Sequence, residues 1–177
     1  MIQTTFSNLS HLTNLTNIIL LDLSLLNYDV YTDGACEGNQ YRNNKGGWAA
    51  IIFPKHKPEL MQKISGCKIN TTNNRMELMA CIQALEYLSD KQNSKVIEIY
   101  TDSAYVSNCF KQGWYLNWEN NGWRNSKNQP VKNADLWKIL IKLYNTLNVK
   151  FIHVKGHSGN KYNEMVDSLA VAAIDNC

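Results

Sequence analysis

The sequence predicts an α/β fold: one five-stranded mixed sheet, with three antiparallel strands and further parallel ones, flanked by helices. Three observations carry this expectation. Three short β-rich runs follow one another with short connections, a long helical period then leads into an apolar run of strand length, and strand and helix patterns alternate from there to the C-terminus. Residues 29–35, 47–53 and 60–69 read as the strands of an antiparallel meander. A helix is expected over 74–89, with Leu78, Cys81, Ile82, Leu85 and Leu88 on one stripe. Residues 95–101 form the next strand, and the strand-helix-strand order makes it parallel to the first. Helices over 103–112 and 134–147 flank a Trp- and Asn-rich stretch; a strand over 149–155 and a helix over 161–174 complete the pattern.

Composition sets the outer limits. With 177 residues, 44% of them hydrophobic and 19% charged, and only 9 Gly and 3 Pro, the chain suits one domain with a real core and excludes a disordered or collagen-like protein. The longest strongly apolar run, 18–26, is interrupted by Asp22 and Ser24 and is shorter than the roughly 20 residues of a membrane span, so no membrane partner is expected. Residues 1–27 contain one charged side chain, Asp22, and lack the basic residues of a signal or transit peptide. Leu9, Leu12, Leu15, Ile19, Leu23 and Leu26 recur at helical spacing, so 1–27 is expected to be an N-terminal extension, helical if ordered, ahead of a domain over 28–177. Five cysteines with no C-x-x-C pair form an odd set. Reduced thiols in an intracellular compartment, cytoplasmic or nuclear, are expected. Residues 1–90 carry 7 Lys and Arg against 8 Asp and Glu, whereas residues 91–177 carry 11 against 7, so a polyanion would meet the C-terminal half first.

Two of the expected strands end in the same tripeptide, Tyr31-Thr32-Asp33 and Tyr100-Thr101-Asp102. As parallel neighbours they would deliver both aspartates to the carboxyl edge of the sheet, where open α/β sheets place their ligands; Asp ending a strand in a turn is the alternative. Glu77 stands three residues after Asn74, which suits a capping-box-like contact, but Cys81 and Ala84 at i+4 and i+7 also turn it toward the sheet. A carboxylate facing inward needs a cationic partner, or it protonates. Asp167 shares a helix face with Asn163, Ala170 and Ile174. Converging at one edge, Asp33, Glu77, Asp102 and Asp167 would repel one another unless cations intervened, and hard oxygen ligands suit Mg²⁺ or Mn²⁺.

Five stretches together resemble type 1 ribonuclease H: Thr32-Asp33-Gly34, Thr71-Thr72-Asn73-Asn74-Arg75-Met76-Glu77-Leu78, Thr101-Asp102-Ser103, Pro130-Val131-Lys132-Asn133-Ala134-Asp135-Leu136-Trp137, and Val154-Lys155-Gly156-His157 through Asn163-Glu164 to Asp167. The resemblance covers about residues 28–175 and implies the ribonuclease H-like fold. It also implies an endonuclease that hydrolyses the RNA strand of RNA/DNA hybrids with two divalent metal ions, leaving 5′-phosphate and 3′-hydroxyl ends. By that resemblance Asp33, Glu77, Asp102 and Asp167 hold metal, Mg²⁺ or Mn²⁺. His157 belongs to a mobile loop, where the alternative is a cap of the last helix, and Glu164 is linked to product release. Thr72 and Asn133 fall at a DNA-strand phosphate, and Gly38, Asn39 and Asn73 at RNA 2′-hydroxyls, through which RNA is told from DNA.

The stretch 111–132 resembles the family's substrate-binding handle, with Trp114, Trp118 and Trp123 as a packing scaffold and, between the terminal Lys111 and Lys132, Arg124 and Lys127 as its cations. Few cations release few counterions, so weaker and less salt-sensitive hybrid binding is expected. The partner implied is an RNA/DNA hybrid duplex, and the chain is expected to act as a monomer unless the extension self-associates. The competing readings are a non-catalytic hybrid-binding protein and a related metal-dependent nuclease on the same scaffold.

Overall fold

The computed structural model describes residues 26–38, 43–89 and 96–177. Residues 1–25 of the expected helical extension therefore lie outside the described residues, as does Asn39, while Leu26 and Asn27 are described and are not helical. Strands β1 (Tyr28–Glu37), β2 (Lys45–Pro54) and β3 (Gln62–Ile69) form the antiparallel meander, with Tyr31 opposite Ile51 and Ile51 opposite Lys63. β4 (Ile97–Thr101) pairs in parallel with the other edge of β1, and β5 (Val149–His153) in parallel with β4, so the order is β3-β2-β1-β4-β5. This is the mixed five-stranded sheet the sequence predicts.

The sheet is covered on both faces, which explains why β2 is apolar without alternation. Ala50 and Ile52 pack with Val30 against α1 (Asn73–Ser89), whereas Ala49, Ile51 and Phe53 pack against Val166 and Ala170 of α5 (Lys161–Asp175). The expected stripe on α1 is buried: Leu78, Cys81, Ile82, Leu85 and Leu88 are each at most 2% exposed. α2 (Ala104–Lys111), α3 (Trp114–Asn120) and α4 (Ala134–Thr146) complete the larger core, with Trp137 of α4 fully buried at its centre.

Several boundaries move for local reasons. A short 3₁₀ turn over Pro58–Leu60 takes the start of the expected third strand, because Pro58 sits at its first position and fixes the backbone there. Ser103 is the cap of α2 rather than its first residue, its hydroxyl accepting the Val106 N–H. α3 forms in the Trp-rich stretch, where the sequence pattern predicts no helix. Trp114 and Trp118 at i and i+4 give it one face, packed against the core, while Gly113 in a left-handed conformation opens it.

The expectation of reduced thiols is corrected at two of the five cysteines. Cys67 and Cys177, 110 residues apart, are joined in a disulfide with their Cα atoms 5.6 Å apart. α5 lies across β2 and β3, and this packing brings the residue after its last turns to the edge strand. Sequence spacing carries no trace of that. Cys36, Cys81 and Cys109 are free.

Candidate active site

The register of β1 against β4 sets Tyr31 beside Tyr100, so the two matched tripeptides run side by side and Asp33 and Asp102 leave the same carboxyl edge. Asp33 is 7% exposed and its Oδ1 accepts the Gly34 N–H at 2.8 Å. Glu77, 5% exposed, reaches the same point from α1 because the start of that helix lies directly against Gly34. A Cβ at Gly34 would fall 2.5 Å from the Met76 carbonyl carbon and 2.8 Å from Met76 Cβ. The approach to α1 is held by Asn44, a buried side chain whose Nδ2 donates to the Thr71 carbonyl at 2.7 Å and whose Oδ1 accepts the Thr71 N–H at 2.9 Å.

Carboxylate oxygens of Asp33, Glu77 and Asp102 lie within 4.8 Å of one another. Asp167 on α5 is not part of that group, but its charge reaches Asp33 and helps to raise its carboxyl. Burial, then the neighbouring charge of Asp102, pushes the Asp33 carboxyl up to about 7. Burial and the charges of Asp33 and Asp102 push Glu77 well above the usual carboxylate range. The cationic partner an inward carboxylate requires is not a side chain: the ion pairs formed among the described residues are Lys55–Glu98 and Arg75–Asp135, both outside the cluster. Glu77 Oε1 is 3.5 Å from Asn73 Nδ2, and its buried Oε2 has no hydrogen-bond partner. The capping-box contact expected for Glu77 gives way to this; at the start of α1 the Thr72 hydroxyl instead accepts the Arg75 N–H at 3.4 Å. A hard divalent cation fits such a donor set, since it would meet the orphaned oxygen and the mutual repulsion at once.

The RNase H family model matches residues 27–175. The chain belongs to the ribonuclease H family. The ribonuclease H of Prosthecochloris aestuarii is 48% identical over 147 residues, covering 83% of this chain and 94% of that protein. That of Syntrophomonas wolfei is 47% identical over 146 residues, covering 82% and 94%. Among solved structures, LC9-RNase H1, a type 1 RNase H with the type 2 active-site motif, superposes with a TM-score of 0.75 at 27% identity over 86% of this chain and 74% of that one. LC11-RNase H1 in complex with an RNA/DNA hybrid superposes with a TM-score of 0.64 at 25% identity over 84% and 97%. Ribonuclease H enzymes hydrolyse the RNA strand of hybrids and depend on metal, and this chain is such an enzyme.

The other residues singled out by the ribonuclease H resemblance fall into separate groups. His157 is exposed, with a left-handed backbone (φ 49°). It does not cap α5: Asn160 does, accepting the Tyr162 and Asn163 N–H groups at 3.1 and 3.2 Å. Glu164 Oε1 accepts the Gly159 N–H at 3.0 Å and so ties the loop carrying His157 back to α5. Thr72 and Asn133 are bridged by Arg75, whose Nη1 donates to Asn133 Oδ1 at 3.4 Å while the guanidinium clasps Asp135 at 2.9 and 2.6 Å. Asn133 has a positive φ of 58° and donates to the Tyr105 hydroxyl at 3.4 Å. Gly38 also has a positive φ, and its carbonyl accepts from Asn44 Nδ2 at 3.3 Å. Asn73 contacts Glu77, as above. Trp114 and Lys127 lie in the segment over residues 111–132, outside the acidic group. Trp114 packs against the core and lines a groove of about 640 Å³ with Trp118, Asn121 and Arg124, while Lys127 is exposed. Sequence reasoning missed Asn44, Tyr105 and the Arg75–Asp135 pair; the only signal toward any of them was that Arg75 and Asp135 stand within the Thr71–Leu78 and Pro130–Trp137 motifs.

Proposed function

We propose that this enzyme cuts the RNA strand at the Asp33, Glu77, Asp102 and Asp167 cluster with Mg²⁺ as the working ion and Mn²⁺ as a substitute, leaving 5′-phosphate and 3′-hydroxyl ends. The observation that carries this is three carboxylates within 4.8 Å, two of them buried, with no cationic side chain paired to them among the described residues. A pair of divalent cations, when bound there, supplies in-line activation of water and neutralises charge on the attacking and leaving oxygens. Asp33 and Glu77 hold the buried side of that site, and Asp102 and Asp167 its more open side. His157, on its exposed loop, moves a proton at the leaving 3′-oxygen. Glu164 keeps that loop near α5 through Gly159.

Thr72 and Asn133 bind a DNA-strand phosphate, with Arg75 holding the two together. Gly38, Asn39 and Asn73 meet RNA 2′-hydroxyls, and Trp114 and Lys127 on the handle bind the flanking duplex. The hybrid bound by LC11-RNase H1 supports this class of substrate. A binder that did not cut would gain nothing from concentrating negative charge where phosphates must sit, which disfavours that alternative. The test is incubation of an end-labelled RNA/DNA hybrid, with duplex RNA and duplex DNA as controls, in Mg²⁺ and in EDTA. Cleavage of the hybrid's RNA strand in Mg²⁺ alone is expected. Cleavage in EDTA, or of all three duplexes alike, overturns the reading.

A further inference from the structure

Asn163 is buried at 3% exposure in the first turn of α5, where an amide has no obvious reason to be. Its backbone N–H is fixed by Asn160 Oδ1 at 3.2 Å, and its Nδ2 donates to Asp102 Oδ2 at 3.3 Å across 61 residues of sequence. Its own Oδ1 is buried without a hydrogen-bond partner, so the group bears a desolvation cost that its single contact, to Asp102, must justify. The same Asp102 oxygen is crowded by Gly156, where a Cβ would come within 2.7 Å. The terminal torsion of an aspartate is broad, and nothing in its own rotamer preference holds the carboxylate plane.

We propose that Asn163 is a positioning residue. It grips Asp102 by Oδ2, against the backbone at Gly156, and so fixes the carboxylate in the orientation that brings it within 4.8 Å of Asp33 and Glu77. The inference rests on the metal-site reading above. A neutral donor suits this role, because a lysine or arginine in its place would also orient Asp102 but would cancel the charge that attracts a cation, while an aspartate would repel it. Ligand-orienting neighbours of this kind typically change metal affinity ten- to a hundredfold.

The test compares wild type with Asn163→Leu, which keeps the branched side-chain shape in a bulkier form and removes the donor. Mn²⁺ binding to the substrate-free protein is measured by calorimetry and by the electron paramagnetic resonance signal of free Mn²⁺. Hybrid cleavage is then followed across Mn²⁺ concentrations. The expected result is a Kd for Mn²⁺ weakened about tenfold or more, with kcat returning toward wild type at excess Mn²⁺. An unchanged Kd overturns the proposal, whatever happens to the rate. Where Asn163→Leu lowers the Tm by more than a few degrees, Asn163→Ser, which leaves a smaller polar group, is read by the same two measurements. A wild-type protein that binds no Mn²⁺ would instead sink the metal-site reading, so the two failures are distinct.

Discussion

Alanine at position 34 would disturb the acidic cluster without altering any of its oxygens. The added Cβ would sit 2.5 Å from the Met76 carbonyl carbon and 2.8 Å from Met76 Cβ, and comfortable carbon contacts lie at about 3.5 to 4.0 Å. Part of that clash is with backbone, so no rotamer relieves it, and the start of α1 must withdraw from β1 by about 1 Å. Glu77 follows Met76 directly and would be carried away from Asp33 and Asp102. Overpacking of this kind costs about 1–3 kcal/mol, which for a domain of this size lowers the Tm by about 2–12 °C. A misplacement of about 1 Å in a reacting constellation costs about a hundredfold in rate. Gly34→Ala is to be followed by scanning calorimetry and by steady-state cleavage of a labelled hybrid. Activity within twofold of wild type, together with an unchanged Tm, would refute the claim that this close approach sets the Glu77 position.

Breaking the Cys67–Cys177 bridge with dithiothreitol or as Cys67→Ser releases a loop of 110 residues, worth about 4–5 kcal/mol on chain-entropy grounds. The expected fall in Tm is about 8–20 °C, and equal melting curves for the oxidised and reduced protein would contradict it. Arg75→Ala frees Asn133 from the bridge to α1, so KM for hybrid should rise several-fold with kcat nearly unchanged; a fall in kcat at constant KM would place Arg75 elsewhere in the mechanism. Only Arg124 and Lys127 supply positive charge within the segment over residues 112–131, so the logarithm of hybrid affinity should fall gently with the logarithm of salt concentration. A steep slope in a binding titration would contradict that.

What the sequence reveals here follows from how local each cause is. The uninterrupted apolar run of β2 is legible because a strand covered on both faces has no polar side to show. Asp33 and Asp102 are legible because parallel neighbours with identical endings must finish side by side. Glu77 is marked by its spacing to Cys81 and Ala84 on a helix whose buried face is plain. The Cys67–Cys177 bridge, the Arg75–Asp135 clasp and the grip of Asn163 on Asp102 are different in kind. Each joins residues 60 or more positions apart through the packing of two elements, and neither partner's neighbours in the chain carry a mark of the other. The helix over Trp114–Asn120 escaped for a related reason: its short, aromatic-rich sequence favours helix only once Trp114 and Trp118 have a core to rest on.

The central claim is that the fold holds unneutralised carboxylates together in readiness for a divalent cation. Thermal unfolding of wild type and Asp33→Asn at pH 8, with and without Mg²⁺, tests it most directly. Burial and the charge of Asp102 push the Asp33 carboxyl from an ordinary 3.8 up to about 7, so between those values the metal-free fold holds a proton that the unfolded chain has already released. Stability therefore falls as pH rises from about 4 toward 7, and Glu77, raised by the same burial and charges, pushes it in the same direction. Without metal at pH 8, Asp33→Asn is predicted to melt higher than wild type, and Mg²⁺ to raise the wild-type Tm far more than the variant's. A variant that melts lower without metal, beside a wild type indifferent to Mg²⁺, would contradict the account.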